Sequence, residues 1–417
     1  MTTARRTFIC LRNYNYRLFF GGQAVSQTGS WMQRIALGWY ILELTHNSAF
    51  AVGVMAFAQF LPFGLFGLFA GVFTDRLDAR RLVIGTQIGQ TITAVILAWL
   101  ALAHLGQPWM LYTIAFVNGT VMVLDVPSRQ QLTYRMVGRE TLPNAIALNS
   151  SLFNASRIFG PSVAGLLLVA GVGVCFLVNA ISFVAVLASL FLMRPSEFFP
   201  VEEFERPSII AGTREGLAYV LRQPRMLAVM GLTLALSTFA FNFNVTLPVL
   251  AKVTLHGQGP VFGFLSAVFG AGALVGALVA ASRGRASAKV LLIGAAVFTA
   301  AEVLLAPTRN EFLAGALLFT VGAGFTAWSA NSNATVQLAA PDRLRGRIIG
   351  IYFWCFNGTG AVAGLLAGWL CSQGGTELAF AAGGLVGLAA VVGTAIALGW
   401  TPRYAPLRRR AAAPRHA

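Results

Sequence analysis

Five charged residues crowd into "GVFTDRLDARR", residues 71–81, of a chain in which charged residues make up 11%. Three more, Arg34, Arg157 and Glu302, stand alone inside long apolar runs. A charge held in hydrocarbon costs at least a few kcal/mol, so the charges that persist there face protein or water and mark ion pairs, proton relays or binding sites. Arg157 falls about ten residues into its run, close to 15 Å deep at the rise of an α-helix. A guanidinium at that depth serves a structural ion pair, interhelical carbonyls or a transported anion. Arg34 shares a helical face with Gln23, Gln27 and Ser30, a polar stripe that suits either a cavity wall or hydrogen bonding to a neighbouring helix. Glu302 and Glu43 fall in the outer part of their runs, where each reaches outside water or serves a proton path. Deep arginines with few deep acids to match them lead to the expectation of an anionic or carboxylate-bearing cargo.

Other reactive side chains point nowhere. His46, His104, His256 and His416 lack metal-ligand spacing, and Cys10, Cys175, Cys355 and Cys371 are far apart with no CxxC pair, so neither a metal nor a disulfide framework is expected. No phosphate loop is present, which disfavours direct use of ATP. Neither a cofactor nor an enzyme activity is expected.

The elements that must carry these residues follow from composition. Hydrophobic residues make up 57% of the 417, mean hydropathy is +0.71, and uncharged runs long enough to cross a bilayer recur from end to end. Backbone groups in lipid must be satisfied internally, and the runs are too long for barrel strands, so the fold class expected is all-α and integral to the membrane, with twelve transmembrane helices. The first apolar run lacks a cleavage site and is expected to stay in the membrane. Loops assigned alternately to two sides place nearly every Arg and Lys on one side, with Lys252 and Arg309 on the other. The positive-inside rule then puts both termini and the even-numbered loops in the cytoplasm of a multi-pass protein of the cell membrane. A net charge of +16 thus reports topology, and nucleic acid is not an expected partner.

Residues 194–225 form the longest polar stretch and divide the chain. The expected organisation is a six-helix bundle over 1–193, a cytoplasmic linker over 194–225 with an amphipathic helix from Ile209 to Leu221, a second six-helix bundle over 226–400, and a basic cytoplasmic tail over 401–417. "FTDRLDARRLVIG" aligns with "SRGRASAKVLLIG", and "SVAGLLL" with "AVAGLLA", at similar offsets. The two bundles therefore read as repeats of one design, a plan in which one half rocks against the other around a midplane site.

These motifs resemble the major facilitator superfamily over nearly the whole chain. "GVFTDRLDARR" resembles its cytoplasmic Gly-x-x-x-Asp-Arg-x-Gly-Arg-Arg motif through Gly71, Asp75, Arg76, Arg80 and Arg81, with Ala79 a departure. "RIFGPSVAGLL" resembles the antiporter motif through Gly160, Pro161 and Gly165. "LRNYNYRLFFGGQAVSQTGSWMQRIAL", "DVPSRQQL", "LPNAIALNSSLFNASRIFGP" and "LRGRIIGIY" are similar to the branch of enterobactin exporters and macrolide-efflux proteins. The resemblance implies a secondary active exporter of a small molecule (a drug, siderophore or other metabolite) working by alternating access, with proton antiport as energy source and lipids around a monomer. A lysophospholipid flippase or importer, or a non-transporting sensor, is the alternative on the same fold. It further implies that Asn118, Asn242, Asn244 and Asn331, on spans 4, 7 and 10, line a central cavity with Trp31, Trp328 and Trp354. Span 4 departs from drug antiporters in lacking an arginine and carries Asp125 near its cytoplasmic end. The expected gate is a latch in which Asp75 meets the start of span 11 and Asp125 accepts from Arg76 or Arg80, while Gly160, Pro161 and Gly165 set the conformational equilibrium.

Overall fold

The computed structural model describes residues 9–75, 77–200, 209–282, 287–341 and 343–400. Among these the chain is helical with no strand. The helices are α1 (Tyr14–Leu44), α2 (Ala49–Asp75), α3 (Ala79–Leu102), α4 (Pro108–Leu167), α5 (Val172–Phe191), α6 (Ile209–Arg222), α7 (Pro224–Ala235), α8 (Phe243–Val249), α9 (Gly259–Ser282), α10 (Ala288–Leu305), α11 (Glu311–Ala339), α12 (Arg345–Phe353) and α13 (Gly360–Trp400). Nine stretches of the described residues are long and apolar enough to cross a membrane, and two of these, 63 and 55 residues long, cross twice. α1 supplies one more crossing; its polar stripe dilutes its hydropathy. Twelve crossings in two six-helix bundles result, six on each side of the surface helix α6.

The fourth and fifth crossings differ from the sequence expectation. Spans ending near 127 and restarting near 146 leave a loop between them, yet α4 runs helical from Pro108 to Leu167 and turns at a single residue, Gly138, at φ 68° and ψ 179°. A side chain there is excluded twice: the left-handed φ favours glycine, and a Cβ would meet the Phe199 ring at 3.1 Å. The carbonyls released at the break find new donors. Phe199 N–H donates to the Arg135 carbonyl at 2.8 Å, and the Asn13 amide, which also caps α1, donates to Met136 O at 2.7 Å. The polar residues around 129–140 lowered the hydropathy there, while the helical backbone is interrupted at Gly138 alone.

In the second bundle the helices themselves are interrupted. The seventh crossing passes from α7 through a π-helical turn at Leu236–Ala240, a non-helical Phe241 and α8 to a second π turn at Leu250–Thr254. The eleventh joins α12 to α13 through a π turn at Trp354–Gly358. Single π turns tend to mark functional sites. Gly374 and Gly375 (φ 65°) separate the eleventh and twelfth crossings.

Glycine contacts join the bundles. A Cβ on Gly368 would lie 2.7 Å from Gly53 Cα, and one on Gly165 2.8 Å from Gly263 Cα, so these backbones touch directly. Trp39 stacks on Phe262 with centroids 5.9 Å apart, and Lys252 pairs with Glu43 at 3.7 Å. All of these contacts lie in the half of the crossings distant from the arginine-rich loops, termed here the far end. Toward the arginine-rich end of α2, Leu65, Phe66 and Phe69 are 52%, 48% and 47% exposed.

Candidate functional site

Arg157 sits on the fifth crossing and is 9% exposed. Its guanidinium carbon lies 4.7 Å from the Phe269 ring, 5.3 Å from Phe325 and 5.8 Å from Trp31. Phe269 and Phe325 belong to the second bundle and Trp31 to the first, so this cation bridges the interface of the halves. Gly270 permits that approach, since a Cβ there would come within 2.7 Å of the Arg157 carbonyl. Arg34 lies over the same indole, 4.5 Å from its centroid. Among the described residues neither guanidinium has a carboxylate partner, and Arg157 Nε has no hydrogen-bond partner. Desolvated cation–π contacts contribute about 2 kcal/mol each, so the three rings offset a cost of a few kcal/mol without supplying the hydrogen-bond acceptors a guanidinium has in water.

Trp31 is expected at the cavity from the sequence; the phenylalanine partners are what sequence reading missed, since a phenylalanine in an apolar run looks like packing whatever it touches. Most of the aromatic set is packing. Phe241 stacks on Phe325 with centroids 4.2 Å apart, Phe298 and Phe356 stack on Trp328, and Trp328 is 0% exposed. Trp328 is thus a core residue of the second bundle, not a cavity wall. Trp354 donates from Nε1 to Gly64 O across the halves at 3.1 Å.

The polar stripe on α1 divides. Gln23 accepts a hydrogen bond from Arg129, leaving Gln27, Ser30 and Arg34 toward the interface, where Gln27 is half-buried. Asn118 is half-buried, and its Oδ1 lacks a described partner. Asn242 is buried and donates to Thr238 O at 2.9 Å inside the broken seventh crossing. Asn331 is placed away from the arginines: it donates to Ala327 O at 2.8 Å and accepts from Ser287 N–H at 3.1 Å, holding the start of the ninth crossing. Glu302 is 1% exposed, and its Oε2 has no hydrogen-bond partner among the described residues. The expectation that it reaches outside water does not hold in this conformation.

At the arginine-rich end the pairing differs from the expected latch. Asp125 pairs with Arg129, one turn on, at 2.6 Å, and accepts from Thr86 Oγ1 at 2.6 Å and Gln87 Nε2 at 3.1 Å. It therefore has no room for Arg80, which donates instead to the Leu190 carbonyl at 3.0 and 2.7 Å, satisfying the end of α5. Asp78 caps α3 by accepting from Arg81 N–H at 3.0 Å and pairs with Arg135 at 2.6 Å. Burial alone would raise the Asp78 carboxyl; the Arg81 N–H and the Arg135 guanidinium outweigh it and hold the group below the usual carboxylate range. These described bonds all lie within the first bundle. The surroundings of Gly71, the side chain of Asp75 and the whole of Arg76 lie outside the described residues. Gly160 packs against α1, where a Cβ would meet Trp31 Cβ at 2.5 Å, and Gly165 with Pro161 forms the glycine contact to α9.

The profile of the transmembrane secretion effector family matches residues 5–403. The chain is similar to the MFS-type transporter YfiS of Bacillus subtilis, 25% identical over 90% of this chain and 92% of that one. It is similar to the staphyloferrin A transporter of Staphylococcus aureus, 24% identical over 80% and 84%, and to macrolide efflux protein A of Streptococcus pyogenes, 26% identical over 68% and 71%. In fold it is similar to the nucleoside transporter NupG, with a TM-score of 0.74 at 12% identity over 93% of this chain and all of that one. A bacterial homologue of Spinster gives 0.68 at 14% identity over 93% and 96%. With its two six-helix bundles and a match spanning nearly the whole sequence, the chain belongs to the transmembrane secretion effector family of major facilitator transporters and is a multi-pass membrane transporter of small molecules, not an enzyme.

Proposed function

We propose that the protein is a secondary active exporter of the cytoplasmic membrane that moves a small molecule outward by alternating access, in exchange for protons. The observation that carries this reading is Arg157: a buried cation without a carboxylate partner among the described residues, at the meeting point of the two bundles, where a cargo would touch both at once. The relatives named for export of a siderophore and of macrolides support the direction. The positive-inside rule supports a cytoplasmic arginine-rich end, and far-end contacts between the bundles, with Leu65, Phe66 and Phe69 exposed toward the other end, support a conformation open to the cytoplasm.

Glu302 is the candidate proton carrier. A carboxyl group buried without a partner is stable when neutral and gives up its proton only when water reaches it. Among the described residues the charged side chains of the elements packed around it (Glu311 on α11, Glu377 on α13, Lys252 and Arg225 on the seventh crossing) lie at the ends of those crossings. Asp75, Arg76 and Arg80, with Asp125, Gly160, Pro161 and Gly165, act in this reading on the equilibrium between open states rather than on cargo.

The test is transport in proteoliposomes with an imposed pH gradient, screened against macrolides, siderophores and lysolipids. Gradient-dependent movement of a soluble cargo is expected, with Glu302→Gln reduced to the rate seen without a gradient. Transport of the intact protein that ignores the gradient removes proton antiport, and movement of lysolipid alone makes the protein a flippase.

A further inference from the structure

The cargo's chemistry can be narrowed further, on the reading that the Arg157 site is where cargo binds. Arg157 is more than nine-tenths buried, and its Nε is unpartnered. Arg34 and Arg157 flank one indole, so their guanidinium carbons lie within about 10 Å of each other. Two like charges this close in a poorly screened setting repel, as Arg34 does Arg157. A single monoanion would neutralise one and leave the other. Rings line the remaining sides: Trp31 and Phe153, T-shaped with centroids 5.6 Å apart, on the first bundle, and Phe269 and Phe325 on the second.

We propose that this cluster of two arginines and their rings binds an organic dianion, a molecule with two carboxylate-like groups on an aromatic or otherwise flat apolar body. Arg157 and Arg34 take one acidic group each, and the body stacks on Trp31 and the two phenylalanines. A guanidinium presents a planar fork that matches a carboxylate with two parallel hydrogen bonds, which an ammonium cannot do. Both arginines belong to the first bundle, whereas Phe269 and Phe325 belong to the second. Anion binding draws Arg157 off those rings and puts the cargo body in its place, so the contact between the halves then passes through the cargo and the event that recognises it biases the interface.

Calorimetric titration of the full-length protein in phosphatidylcholine nanodiscs tests this without any gradient. The probes are phthalate, citrate, benzoate, inorganic phosphate and tetraethylammonium. Phthalate is expected to bind at least roughly tenfold tighter than benzoate, and tetraethylammonium not at all. Arg157→Gln should weaken phthalate binding roughly thirtyfold or more. Arg34→Gln should weaken phthalate more than benzoate and so narrow the gap between the two. Arg157→Lys, which keeps the charge and so protects the fold, should still lose several-fold through the missing fork. Equal binding of phthalate and benzoate to the intact protein overturns the proposal, as does an unaltered phthalate affinity in Arg157→Lys. Stabilisation by phosphatidylglycerol in the discs with no response to any soluble anion also overturns it, by assigning the arginines to a lipid phosphate. Phthalate binding that follows these expectations alongside gradient-insensitive transport would overturn proton antiport and leave this site standing.

Discussion

The two bundles share one architecture and spend their polar residues differently. The first ties itself together with side-chain bonds: Asp125 to Arg129, Thr86 and Gln87, Asp78 to Arg135, Asn179 to Gln33 at 2.6 Å. It then leaves two arginines over. The second is held by rings packed around Trp328 and Phe325, with π turns in two of its crossings, and leaves one carboxyl group over, Glu302. Repeated folds need not have repeated chemistry. The unpartnered cations and the unpartnered acid fall in opposite halves, so on the proposed reading cargo and proton would bind apart and be coupled through motion of the bundles.

The largest effect should come from blocking that motion. Gly368→Val places a side chain into the Gly53 backbone; transport is expected to vanish while the protein still purifies as a monodisperse species. Gly21→Val, with nothing within 4 Å of its Cβ position, should transport normally. Equal activity of the two variants would show that the glycine contact is not where the halves work against each other. Next, tryptophan replacements separate packing from recognition. Trp328→Ala should lower stability by about 3–5 kcal/mol, as for other large core residues, read as a drop in melting temperature. Trp31→Ala should leave melting nearly unchanged and weaken binding at the arginines; the reverse result breaks the assignment of rings to structure and site.

The smallest effect concerns the first bundle's own stitching. Asp78→Asn retains a capping side chain but loses the charge facing Arg135, so a loss of about 1 kcal/mol or less is expected. Because the folded carboxyl is held below its ordinary value, its stabilising contribution is complete above the unfolded value of 3.8 and disappears as pH falls through the lower folded value. Melting of the wild type should therefore approach that of Asp78→Asn only in acid below 3.8.

Much of the fold was legible because burial in lipid and loop charge are local properties of a run of residues. The crossings, the two bundles and the isolated status of Arg157 all follow from stretches that can be read one at a time. What escaped depends on residues distant in sequence. The Asp125–Arg129 pair is the exception, an i,i+4 spacing on one helix that wins over Arg80 on another. The 128–145 segment looked like a loop because hydropathy reports lipid contact and not helicity. Asn331 resembled a cavity residue until its bond to Ser287 N–H showed it serving a helix start. Phe269 and Phe325 carry no mark in their runs that separates a ring facing a guanidinium from one facing another ring.

Asn13 caps α1 while its amide holds the Met136 carbonyl, Tyr16 donates to Ala145 O at 3.1 Å, and Phe199 N–H closes on Arg135 O at 2.8 Å. Three segments of the first bundle are thereby riveted at its arginine-rich end, on both sides of the Gly138 turn. A body fastened in this way is expected to move as one piece, with the give at the jointed seventh and eleventh crossings of the second bundle, so a crosslink across Gln23 and Arg129 should be tolerated where one between α7 and α8 would stall the cycle.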